Sequence, residues 1–329
     1  MENNRTITVY ACGGTGVNIG RIIEEQCNRD RAQDDDTPFA NVEVYYIDTS
    51  DSNTKRIKTD NVYLFDGIDG SGSDRKRNKD IIENYVPDIL QNMPPKDLSV
   101  VIHSTSGGSG SVIGPMLTSR LLKEKKATIT AAVLTSETAI HLKNTVMVLG
   151  SFEGMGKARN RVLPVMLCNN SENGEANVNA TISNAVQVLA ILYSGKLDRL
   201  DSADLDNWIN FNNVTSHEVG AVLLDITNKE IKLQKNEEVC SVVTIVNDSS
   251  TNANFQSVVE YQKVGIISSN NQQFKDQALH FVLIDGAIQE AYKNHMTALE
   301  EMNKQISSRP RRVSIANESN TEREDGIGF

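Results

Sequence analysis

The chain is poor in cysteine, in positive charge and in long apolar runs, and each shortage removes a class of function. Its four cysteines, Cys12, Cys27, Cys168 and Cys240, lie far apart and form no C-x-x-C pair. That usage fits a reducing compartment and argues against structural disulfides or a zinc site. Against 43 acidic residues stand 33 lysines and arginines, a formal charge of -10. A general nucleic-acid binder needs a broad basic surface to neutralise phosphates, and the local exception here is Arg309, Arg311 and Arg312. No apolar stretch approaches the ~20 residues of a membrane-spanning helix. The polar opening Met1-Glu2-Asn3-Asn4-Arg5 has no apolar signal core. These absences predict a cytoplasmic protein with no membrane partner and no direct nucleic-acid partner. No Walker A sequence G-x-x-x-x-G-K-[ST] occurs, and neither His103 nor His280 has metal-ligand spacing.

What is present is a pair of glycine-rich turns, Ala11-Cys12-Gly13-Gly14-Thr15-Gly16 and Ser106-Gly107-Gly108-Ser109-Gly110-Ser111. Each follows a β-branched run and opens into a helical pattern. Glycine lets backbone N–H groups turn toward phosphate oxygens without a Cβ in the way, and the positive end of the following helix adds to the field. Two such cradles on one chain point to a nucleoside triphosphate; either alone also reads as a tight strand-to-helix turn. The first turn continues as Gly14-Thr15-Gly16-Val17-Asn18-Ile19-Gly20, a near miss to the dinucleotide fingerprint, and Asp48 ends the second strand farther on than that fingerprint wants.

At 329 residues the chain predicts two packed units, at about 150 residues per domain. Apolar or β-branched runs at Ile7–Tyr10, Val42–Ile47, Leu98–Ile102, Thr128–Leu134 and Val162–Leu167 alternate with helical patterns, which predicts an α/β domain with a mainly parallel sheet. Ligands of such sheets bind beyond the carboxyl ends of the strands, where both glycine turns and Asp48 would gather. A helix from Asn179 to Tyr193, capped by Gly195, leaves this domain. Runs at Ala221–Ile226, Val242–Val246, Val264–Ile267 and Phe281–Ile284 predict a smaller second domain, followed by a long helix over Ala287–Ile306. After Pro310 the apolar pattern stops, and Glu318, Glu322, Glu324 and Asp325 surround one Arg323, a composition that cannot fold alone.

Arg199-Leu200-Asp201-Ser202-Ala203-Asp204 places two carboxylates three residues apart before another helical stretch. Asp201 reads as an N-cap with Asp204 as the acid three positions on. Equally, the pair reads as carboxylates that orient and polarise a water for attack on a phosphoryl group.

The order of these motifs, Gly13-Gly14-Thr15-Gly16, then Gly107-Gly108-Ser109-Gly110-Ser111, then Leu200-Asp201-Ser202-Ala203-Asp204, resembles the tubulin/FtsZ superfamily across most of the chain. Ser109-Gly110-Ser111-Val112-Ile113-Gly114-Pro115, Asn207-Trp208, Lys263-Val264-Gly265-Ile266 and the acidic tail are most similar to the tubulin-like proteins of large bacteriophages, the PhuZ type. The resemblance implies a Rossmann-like GTPase domain at 1–178, a central helix at 179–198, a catalytic loop and smaller α+β domain at 199–286, a C-terminal helix at 287–308 and a flexible acidic tail at 309–329. GTP or GDP with Mg²⁺ would be held by Gly13, Gly14, Thr15, Gly16, Asn18, Asp48, Ser106, Gly107, Gly108, Ser109, Gly110 and Ser111. The stretch Gly70-Ser71-Gly72-Ser73-Asp74-Arg75, through Gly70 and Gly72, would sense the γ-phosphate, and Asn184 would meet guanine. Asp201 and Asp204 would enter the next subunit's pocket, so polymerisation switches on hydrolysis, and the tail would dock on a neighbouring subunit. The implied biology is a filament in the cytoplasm of an infected bacterium that positions viral DNA or particles. Ser106 stands where the signature usually begins with glycine, Arg199 replaces the usual asparagine, and Ala185 stands where relatives often carry aspartate. The competing readings are an NAD-dependent oxidoreductase, built on the first turn and Asp48, and a filament that does not hydrolyse.

Overall fold

In the computed structural model, residues 5–32, 38–68, 70–229, 231–248, 258–268 and 278–309 are described. The first half alternates β1 (Thr6–Cys12), α1 (Gly13–Ala32), β2 (Asn41–Asp48), β3 (Val62–Leu64), α2 (Lys79–Asn92), β4 (Leu98–Ser104), α3 (Gly110–Lys123), β5 (Thr128–Leu134), α4 (Ala139–Arg159) and β6 (Leu163–Asn169). A short α5 (Asn170–Asn173) and the long α6 (Glu175–Leu192) lead to α7 (Ser202–Ile209). The rest comprises β7 (Ala221–Thr227), β8 (Glu238–Asn247), β9 (Gln262–Ile267), β10 (Leu279–Asp285) and α8 (Ala287–Ser307).

The ten strands among the described residues form one sheet in the order β3-β2-β1-β4-β5-β6-β7-β10-β8-β9. The first six positions are parallel and reproduce the doubly wound 3-2-1-4-5-6 order. The strands of the second domain continue that sheet: Leu163, Pro164 and Val165 of β6 pair in parallel with Ala221, Val222 and Leu223 of β7. Beyond β7 the chain reverses, with β10 antiparallel to both β7 and β8.

Strand alternation divides the core between the two faces of the sheet. From β1, Val9 and Ala11 join the cluster that holds Ile182, Val186 and Leu189 of α6. Tyr10 and Cys12 turn the other way, toward Ile82 and Ile89 of α2 and Leu117 of α3. Covered on both faces, β5 is buried at every position, as its unbroken apolar and threonine run requires.

Helix α6 fixes where the two ends of the molecule lie. It starts just after the carboxyl end of β6 and spans about 27 Å at 1.5 Å per residue. Its last turn reaches the opposite edge of the sheet: Ala190 O accepts from the N–H of Ala40, one residue before β2. Gly195 lies against Arg5, just before β1. This helix begins earlier than its apolar spacing alone suggests, and its C-cap is Tyr193. Gly195, expected as the cap, instead takes φ +72° in the turn that follows. Residues 310–329 of the expected acidic tail fall outside the described residues.

Candidate functional site

Both glycine turns open on one cavity of about 460 Å³ at the carboxyl edge of the sheet. Gly13, the residue directly after β1, takes φ +68°, a conformation that L side chains rarely adopt, and an added Cβ would meet Gly110 N at 2.7 Å. The two turns are therefore in backbone contact with each other. The first N–H groups of α1 and α3 have no intrahelical partner. Ser109, the N-cap of α3, makes no side-chain cap bond; its hydroxyl instead meets Thr49 Oγ1 at 2.5 Å and Ser71 Oγ at 3.1 Å. Val112 N–H donates to Ser109 O, and the N–H groups of Gly110 and Ser111 face the start of the helix, open to an anion.

Neighbouring loops close around this pair. Asp48, at the end of β2, is buried; its two carboxylate oxygens accept from Thr49 N–H and Asn53 Nδ2, each at 2.7 Å. Burial raises its pKa, an effect only partly offset by those hydrogen bonds. Asn144 of α4 donates Nδ2 to Ser106 O at 2.8 Å and to Ser73 O at 3.1 Å, clamping the second glycine turn to the loop after β3. Asn78 Nδ2 holds the same loop through Gly70 O at 2.9 Å. Behind the second turn, fully buried His103 is pushed down to about 4 by desolvation. The cavity's ionisable lining groups are Cys12, Asp48 and His141, with neither lysine nor arginine among them.

Of the residues singled out from sequence, Gly13, Gly14, Thr15, Asp48, Gly70, Ser106, Gly107, Gly108, Ser109 and Gly110 line the cavity. Gly16 does not; a Cβ there would meet Ile102 O at 2.5 Å, so it serves close helix-to-strand packing. Asn18 is exposed on α1, Gly72 is exposed on its loop, and Ser111 is buried with its hydroxyl donating to Gly107 O. Asn184 lines a separate cavity of about 380 Å³ with Cys168, Thr181, Asp225 and Leu279. Sequence reasoning missed Ser50, Ser52, Asn53, Ser104, Thr135 and His141, which come from the loop after β2, the end of β4, the loop after β5 and the first turn of α4 and carry no local motif.

The paired acids lie at the far end, after the last turn of α6. Asp201 Oδ1 accepts from Asp204 N–H at 2.9 Å and Asp204 Oδ2 from Asp201 N–H at 3.2 Å, a reciprocal capping box on α7. Lys263 Nζ of β9 lies 2.7 Å from Asp204 Oδ1, and Tyr261 Oη donates to Asp204 O at 3.1 Å. Desolvation is the largest single influence on the Asp204 pKa and raises it, but Lys263, the Asp201 N–H and Tyr261 together outweigh it and hold the carboxyl below its ordinary value.

Residues 6–172 match the tubulin/FtsZ family, GTPase domain. The chain belongs to the tubulin/FtsZ family. As a member it is a GTPase with GTP and GDP as its nucleotides, and the oxidoreductase reading falls. Residues 200–287 match the phage tubulin-like protein, C-terminal domain. A phage tubulin-like protein of Pseudomonas phage PhiPA3 is 30% identical over 283 residues, covering 84% of this chain and 83% of that one. Another, from Pseudomonas phage 201phi2-1, is 26% identical over 328 residues, 98% of each chain. Among solved structures, a protofilament of TubZ from bacteriophage PhiKZ superposes with a TM-score of 0.82 at 26% identity, covering 98% of this chain and 99% of that one.

Proposed function

We propose that this phage tubulin-like GTPase polymerises head to tail, with GTP in the cavity at the carboxyl edge of the sheet and hydrolysis completed by Asp201 and Asp204 of the adjacent subunit. One observation carries this reading: the phosphate cradles lie at the carboxyl edge of the sheet, where α6 starts, and the paired acids follow the other end of that helix, which is about 27 Å long. No single chain can bring them together, whereas a head-to-tail contact between identical subunits does so at every junction.

The backbone N–H groups of Gly13 to Thr15 and Gly107 to Gly110 would hold the phosphates, with the loop from Gly70 to Arg75 beside the terminal one. A cradle that a single Cβ would fill, with uncapped helix donors, fits a phosphate chain. Among the described residues no group of three or more His, Cys, Asp or Glu could hold a metal ion. Mg²⁺ would therefore be held mainly by phosphate oxygens and water, as it commonly is. Asp201 and Asp204 would orient the attacking water, and the depressed pKa of Asp204 keeps it an anion for that task.

In this reading residues 1–178 bind nucleotide, 179–198 form the spacer, 199–286 present the acids and 287–308 cover the outer face. The acidic tail from 309 to 329 docks on a neighbouring subunit, several charges together exceeding any single surface pair. Filaments of this kind would position viral DNA or particles in the cytoplasm of an infected bacterium without reading DNA directly. No helix among the described residues is long and apolar enough to cross a membrane.

The capping box favours a second reading in which the acids only start α7 and the filament does not hydrolyse GTP. Light scattering and phosphate release, followed together after GTP and Mg²⁺ are added, separate the two. Assembly followed by release supports the first reading; assembly with bound GTP and no release supports the second.

A further inference from the structure

Arg75 lies on the loop that carries Gly70 to the cavity, and its surroundings are wrong for a cation. Its Nη2 donates to Ser111 O at 3.0 Å, while Nε and Nη1 are buried without a partner. Among the described residues no carboxylate pairs with it. Its neighbour Asp74 is exposed and accepts from Lys76 N–H at 2.9 Å. An unpaired charge shielded from water is strongly disfavoured. Ser111 lies in the first turn of α3, where the helix dipole is itself positive, so the helix adds repulsion. Burial lowers the Arg75 pKa, and His103 behind it is held neutral.

An anion in the cavity, on the other side of the α3 turn from Arg75, would offset both penalties. The cavity's lining holds no lysine or arginine, and the loop bearing Arg75 is bound to that lining through Ser71 and Ser109, 3.1 Å apart. We propose that Arg75 is the cation that balances the nucleotide's phosphate charge from behind the α3 turn, a binding residue kept unpaired until nucleotide arrives. The inference rests on the nucleotide assignment of this cavity.

The test compares the parent, Arg75→Met and Arg75→Lys below the concentration at which they assemble. Titration with a non-hydrolysable GTP analogue and Mg²⁺ gives affinity, and thermal unfolding without nucleotide gives stability. Arg75→Met is expected to bind at least tenfold more weakly while its nucleotide-free melting temperature is unchanged or higher, because an uncompensated charge has gone. Arg75→Lys is expected to retain most of the affinity. Equal affinity of parent and Arg75→Met overturns the proposal. If Arg75→Met is both weaker and less stable, Arg75→Lys decides: recovery of affinity supports the charge role, and no recovery overturns it. A parent that binds no analogue removes the nucleotide assignment and this inference with it, an outcome distinct from tight binding by all three proteins.

Discussion

Lys263 of β9 and Asp204 at the start of α7 form an ion pair 2.7 Å long, tying the paired-acid turn to the last strand of the sheet. The carboxylate is mostly covered while the ammonium is half-exposed, so the pair fixes the direction of the acid more than it stabilises the fold. A catalytic carboxylate that must meet another subunit gains from arriving already oriented.

For Lys263→Met the expected loss of stability is small, about 0.5 kcal/mol as for other solvent-accessible pairs. The Asp204 pKa is lowered, so its share is present above the ordinary carboxylate pKa and lost as pH falls through the folded value. Lys263 is raised, so its share is present below its ordinary pKa and lost as pH rises through the folded one. Urea unfolding of parent and variant should therefore differ most between these limits, from about pH 4 to about pH 10, and differ less at high salt.

Capping and catalysis by the acids separate by choice of substitution. Asp201→Asn keeps an N-cap acceptor and is expected to cost only a few tenths of a kcal/mol, whereas Asp201→Ala costs about 1 kcal/mol. Both should lose GTP hydrolysis by at least tenfold if the carboxylate orients water. Phosphate release by Asp201→Asn at the parental rate, in assembled filaments, would reduce this acid to a helix cap.

Gly13→Ala tests the shared backbone of the two cradles. Its φ of +68° costs an L side chain roughly 1–2 kcal/mol. The added Cβ would also press on Gly110 N. Loss of nucleotide binding with a folded circular-dichroism spectrum is the expected result, and retained affinity would mean that the turns need not touch.

The cradles were readable because a phosphate turn needs glycine whatever surrounds it, and the central strands because a doubly covered strand must be apolar throughout. Tertiary placement was less legible. Strand β3 has only Val62, Tyr63 and Leu64, too short for alternation to register, and it exists because β2 offers it an edge. Asn144 looks like any polar residue in α4, yet it joins two loops whose contact residues lie 71 and 38 positions before it. Asn184 lies on α6, exposed, beside a cavity it lines with Cys168 and Asp225, and no local pattern around it announces that placement.

Buried His103 makes stability depend on pH. Its pKa falls from 6.5 to about 4 on folding, so the unfolded chain binds more protons between these values and stability is lost as pH drops through that window. The expected contribution is about 2 kcal/mol between pH 7 and pH 5. Denaturant midpoints of parent and His103→Gln at both pH values check this: the variant should be less pH-sensitive by that amount, and identical slopes would contradict a neutral buried imidazole.

The central claim, an active site shared between subunits, is tested most directly by mixing two inactive variants. Gly13→Ala lacks a working cradle but carries both acids; Asp204→Asn carries a working cradle but an incomplete acid pair. Phosphate release after GTP and Mg²⁺ are added should be near background for each alone and recover on mixing, because the cradle of one meets the acids of the other. No recovery, with light scattering showing that the two proteins co-assemble, would contradict hydrolysis across the subunit junction.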